Sequence, residues 1–169
     1  GLYDEKICAD ITRYRGCADA DLVICQSLLE HVRDVEQAIA GLNSILRPGG
    51  TVLVFVPSRN TWFARLNRLL PERLKKWLLF TIFPQTRGAQ GFPSYYDRCT
   101  PADFRRLAQG HGLEVTAERY FFSSAYFTFF FPAHLVWRIW ILLCGSLAGN
   151  RAAETFCMAL TRSVDRGRQ

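Results

Sequence analysis

"ADLVICQSLLEHVRDVEQAIAGLNSILRPGGTVLVFVP", residues 20–57, decides the fold. It opens and closes on uninterrupted apolar runs, Ala20–Cys25 and Thr51–Pro57. Their length and β-branched content predict strands buried on both faces. Between them Val35, Ala38, Ile39, Leu42, Ile45 and Leu46 recur at helical spacing, which predicts a helix over about Asp34–Leu46. Asp34 can cap its start, with Gln37 three residues on. The run Arg47–Gly50, "RPGG", stops it, with glycine taking a left-handed exit. Strand, helix and strand with short joints predict a right-handed crossover and a parallel pair. Sheets of this kind bind ligands beyond the carboxyl ends of their strands, so the residues after Cys25 and after Pro57 are the candidates for chemistry.

Upstream, "KICADI" (Lys6–Ile11) reads as a short strand. Downstream, Thr100, Pro101 and Asp103 open a well-signed helix that ends before Gly112, with His111 as its C-terminal cap. Leu113–Phe121 and Glu154–Arg162 read as two final strands, antiparallel neighbours. The fold class is therefore α/β. Apolar residues at 49% and charged residues at 21% describe a globular chain, and 169 residues suffice for one domain with a real core. The six cysteines form no CxxC pair and lie near no histidine at zinc-site spacing. Cys8, Cys25 and Cys157 fall in predicted strands and read as small buried apolar groups in a reducing, cytoplasmic setting. The first residues carry charge and no apolar core, unlike a signal peptide, and the opening Gly in place of Met reads as a fragment.

Four stretches together resemble the class I S-adenosylmethionine-dependent methyltransferases: Ala9–Thr12, Ala20–Asp34, Leu46–Pro57 and Tyr95–Val115. The likeness runs over about residues 1–121 and resumes in the last strand. It implies a Rossmann-like sheet and S-adenosylmethionine as the methyl donor. Two family features are not seen: the Gly-rich loop that cradles the methionine end of the donor, and the acid that holds its ribose. Asp4 stands near the place of that acid at a different spacing. The chain thus reads as a single partial domain over 1–169, N-terminally truncated and inactive alone.

Residue by residue, the resemblance sets Asp10 toward the adenine amino group with Ile11 packed on the ring; otherwise Asp10 merely caps a turn. Gln26, Ser27 and Leu28 match the loop beneath the sulfonium, or else form a plain strand-to-helix joint. His31 can take a proton from a hydroxyl acceptor with Glu30 orienting it, or both simply bond neighbouring backbone in a first helical turn. Some members bind a divalent metal through an E-x-x-E-H run; here Ser27 occupies its first position, so no metal is expected. Tyr95, Tyr96 and Arg98 either wall the acceptor pocket or belong to a surface loop.

All four tryptophans lie in two inserted segments, at about 60–85 and about 127–149. Residues 59–83 carry a net +5 of the chain's +6. Trp, Phe and Leu interleaved with Arg and Lys suit a helix lying on an acidic bilayer surface, and nucleic acid is not the expected partner. The second segment is long enough to span a bilayer. Arg138 within it would cost at least ~2.5 kcal/mol at mid-membrane, and a return to the sheet would leave both its ends on one side. The two inserts either meet a membrane or pack on each other or on a partner. The leading reading is methyl transfer to a small or lipid-linked acceptor by a cytoplasmic, membrane-peripheral enzyme. Its rival is a non-catalytic membrane adaptor derived from one.

Overall fold

The computed structural model describes residues 4–61, 64–65, 69–82, 93–122 and 130–164. Trp62, most of the Gly/Pro-rich loop before Pro93 and the start of the second aromatic insert lie outside the described residues. Four strands form one sheet in the order β1 (Ala20–Gln26), β2 (Leu46–Pro57), β4 (Thr155–Arg162), β3 (Leu113–Phe121). β1 and β2 are parallel, and β4 runs antiparallel to both β2 and β3. The α/β reading and the antiparallel C-terminal pair hold.

The crossover is α1 (Val35–Ile45). Asp34 accepts a hydrogen bond from the Gln37 amide, and Val35, Ala38, Ile39 and Leu42 are buried, the stripe that the sequence shows. α3 (Pro101–Gly110) starts at Thr100, whose hydroxyl accepts from the Asp103 amide, and ends at His111, whose amide bonds the carbonyls of the last turn. α1 and α3 seal one face of the sheet. Phe104 of α3 meets Phe156 of β4 edge to face at 5.1 Å, and Val52, Val54 and Val56 are fully buried beneath the helices. Two further helices, α2 (Glu72–Ile82) and α4 (Phe131–Ala148), come from the aromatic inserts.

Three expectations are corrected. Lys6–Ile11 forms no strand, and Cys8 is exposed; an extended segment becomes a strand only where a neighbour supplies its hydrogen bonds, and β1 pairs only with β2 among the described residues. β1 is not buried on both faces: Cys25 is, but Leu22 and Ile24, which point the other way, are 53% and 69% exposed. Arg47–Gly50 does not provide a left-handed helix exit. The helix ends at Ile45, and β2 begins at Leu46 opposite Ala20. The register then jumps so that Thr51 faces Leu22, with Gly49 at φ +81° inside the bulged-out residues.

Candidate functional site

β1 releases its chain at the carboxyl rim of the parallel pair. The Ser27 amide makes a last ladder bond to the Phe55 carbonyl at 2.9 Å, and Ser27 itself takes φ +49°, a left-handed turn rare for a side-chain-bearing residue. This turn aims the chain off the sheet into a short 3₁₀ turn, Leu29–His31. Leu29 is fully buried and anchors it, while Gln26 and Leu28 stay exposed.

A loop before α3 locks the turn from the far side. The Glu30 carbonyl accepts from the Tyr95 and Tyr96 amides at 2.8 and 3.0 Å. His31 Nδ1 lies 3.2 Å from the Pro93 carbonyl and 3.3 Å from Ser94 Oγ. With the proton on Nδ1 donated to the Pro93 carbonyl, Nε2 is the basic nitrogen. Nε2 lies 3.8 Å from Glu30 Oε1. Glu30 is 4% exposed and its Oε2 has no partner among the described residues. Burial pushes its carboxyl pKa above the usual range. The same burial raises the nearby thiols: Cys25 to about 12 and Cys99 well up, so both are inert packing groups.

Tyr96 and Arg98 brace this arrangement. Tyr96 is buried in the core and Arg98 pairs with Glu36 at 2.5 Å, while the Arg33 guanidinium stacks 5.1 Å over the Tyr95 ring. The loop is thus fastened to α1 at several points.

Asp10 and Ile11 are anchored separately, on the flank of α1. Asp10 Oδ1 accepts from the Thr12 amide at 2.9 Å and from its hydroxyl at 2.8 Å, and those bonds lower its pKa. The Ile11 carbonyl lies so close to Gly41 that any Cβ there would stand 2.2 Å from it. Among the described residues, no hydrogen bond joins either residue to Gln26–Leu28. The structure therefore brings Gln26, Ser27, Leu28, Glu30 and His31 together at one rim, and places Asp10 and Ile11 beside α1. Asp10 Oδ2 accepts no hydrogen bond among the described residues. No Gly-rich cradle lies among the described residues, and Asp4, near the place of the ribose acid, is exposed, so these groups fit part of the donor.

β2 contributes to the same rim. The Ser58 amide bonds the Glu154 carbonyl at 2.9 Å, and Thr61 Oγ1 caps the next turn by accepting from the Ala64 amide at 3.0 Å. Beyond them a cavity of about 590 Å³ opens between this segment and α4. Asn60, Arg65, Trp140, Ile141, Arg151 and Glu154 are among its lining residues. The sequence reading did not single these out as a group. An acid directly before an apolar strand marks Glu154, but nothing local connects it to Arg65.

The family model described as "Methyltransferase domain" matches residues 5–118. The chain belongs to the class I S-adenosylmethionine-dependent methyltransferases. This family uses S-adenosylmethionine. The chain is 29% identical over 115 residues to a ubiquinone biosynthesis O-methyltransferase of Cupriavidus pinatubonensis, covering 68% of this chain and 42% of that protein. A protein of the same name from Methylococcus capsulatus is 32% identical over 100 residues, 56% of this chain and 36% of its own length. An S-adenosylmethionine-dependent methyltransferase from Mesorhizobium loti superposes with a TM-score of 0.53 at 15% identity, over 91% of this chain and 68% of that one, a likeness of fold. The methyltransferase chain thus spans less than half the length of these curated relatives.

Proposed function

We propose that this chain supplies the acceptor side and part of the donor floor of an S-adenosylmethionine-dependent methyltransferase. The acceptor would be a small or lipid-linked hydroxyl compound, handled at the cytoplasmic surface of a membrane. The observation that carries this reading is the rim joint: Ser27 in a left-handed turn, then His31 held through Nδ1 against the Pro93 carbonyl. An oxygen acceptor is also in keeping with the names of both curated relatives. The donor, when bound, supplies an electrophilic methyl on a positive sulfur. Gln26, Ser27 and Leu28 would hold the sulfonium end, with Asp10 and Ile11 toward the adenine. His31 Nε2 would take the acceptor hydroxyl's proton, the Pro93 carbonyl would orient the imidazole through Nδ1, and the nearby Glu30 carboxyl would favour the imidazolium that forms. Most of the remaining rate comes from alignment.

Membrane contact draws support from α2 and α4. α2 carries Arg73, Lys75 and an exposed Trp77; α4 exposes Phe131, Val136, Leu143 and Leu147. Residues 131–152 are long and apolar enough to span a bilayer, and 6% of their 18-residue apolar window is buried. Phe121 pairs with Thr155, however, so both ends of the insert meet at one rung of the sheet. A helix lying in the interface satisfies both facts.

The test uses the intact domain, expressed with whatever precedes this chain in its gene. His31→Ala is expected to cut turnover by about 10²–10⁴-fold, the usual weight of a proton-transfer group, with donor affinity within about twofold. Unchanged turnover removes His31 from the chemistry. A wild type that never transfers methyl yet floats with anionic vesicles is the adaptor instead.

A further inference from the structure

The cavity lining is mixed in character: Trp140 and Ile141 of α4 are apolar, and Asn60, Arg65, Arg151 and Glu154 are polar. Among the described residues no ion pair involves Arg65 or Arg151, so neither guanidinium is already neutralised by a carboxylate. Glu154 is 8% exposed, and burial raises its pKa; the cavity holds two guanidinium groups against this one carboxyl. Guanidinium forks match the oxygens of phosphate better than any other side chain does. Elsewhere on α4, Leu143 and Leu147 are 54% and 88% exposed.

We propose that this cavity binds an amphiphile with a phosphate-type anionic head and an apolar chain, the head between Arg65 and Arg151 and the chain against Trp140 and along α4. The identity of this amphiphile as the methyl acceptor rests on the reading of the rim above; the binding site itself does not. The cavity adjoins the rim through Ser58 and Glu154, which are hydrogen-bonded to each other through their backbones.

Three probes separate the head from the chain: dodecyl phosphate below its micellar concentration, inorganic phosphate, and dodecyl maltoside. Calorimetric titration of the chain, with no methyl donor present, is expected to show saturable binding of dodecyl phosphate. Each of the other two should bind at least about tenfold more weakly, since charge-assisted hydrogen bonds and apolar burial each contribute that much. Arg65→Gln with Arg151→Gln should weaken dodecyl phosphate about tenfold or more and leave the maltoside unchanged. Arg65→Lys with Arg151→Lys should restore part of the loss, and thermal melts of both variants confirm that they fold. Trp140→Ala should weaken the phosphate amphiphile without changing inorganic phosphate. Equal binding of the neutral and anionic amphiphiles overturns the proposal, as does full affinity in the Gln variant. Inorganic phosphate matching dodecyl phosphate would make this a free-phosphate site and overturn the amphiphile. Because no donor is present, dodecyl phosphate binding by the chain together with an intact domain that never transfers methyl would sink the rim reading and keep this site.

Discussion

On one face of the sheet Val52, Val54, Val56, Phe156, Met158 and Leu160 are 0% exposed; on the other, Leu22 and Ile24 stand at 53% and 69%. The residue types are the same. What differs is cover. α1 lays Val35, Ala38, Ile39 and Leu42 on the first face, and α3 adds Phe104. Leu22 and Ile24 meet no comparable cover among the described residues, and the outer edge of β1 has no strand partner there. Exposed aliphatic side chains beside an open strand edge make a surface ready for a further partner. The sealed face anchors the rim. Near the end of β1, Cys25 is buried on that face, and the buried Leu29 ties the turn carrying His31 to the same core.

The largest consequence concerns Phe156. Phe156→Ala removes a ring packed edge to face on Phe104 and should cost about 3–5 kcal/mol in chemical denaturation. A loss under about 1 kcal/mol would mean that the first face is not sealed. Glu30 gives a smaller, pH-dependent effect. Burial raises its folded pKa above the unfolded value. As pH rises through the unfolded pKa the unfolded state ionises first, so stability falls until the folded pKa is passed and then stays lower. Glu30→Gln should flatten that fall in melting temperature as pH increases above about 4.5, the unfolded value. An unaltered slope would show that the carboxyl is solvated. The smallest effect belongs to the open face: Ile24→Ser should change stability by less than about 0.5 kcal/mol while reducing self-association. A cost comparable to that of Phe156→Ala would show that the face is covered after all.

The contrast between faces also explains what was legible in the sequence. Asp34, Gln37 and the α1 stripe are local signals, three or four residues apart, and they read correctly. So do Thr100, Asp103 and His111. An apolar run such as Ala20–Cys25 shows that a strand forms but not which of its faces has cover, because the cover comes from elsewhere in the chain. Lys6–Ile11 failed for the same reason: strand pairing needs a neighbour. The joint at Gln26–Leu28 and the Glu30–His31 pair were legible as a rim because strand direction fixes where the rim lies. The cavity was not, since Arg65 and Arg151 are brought together only by the folding of two inserts across the sheet's end.

The rim joint itself is most directly tested by backbone amide chemical shifts of the intact domain, recorded with and without S-adenosylmethionine. Perturbations concentrated at Gln26–His31 are the predicted result. Perturbations at Arg47–Gly50 and His111–Gly112 on the opposite rim, with Gln26–His31 unmoved, would contradict it.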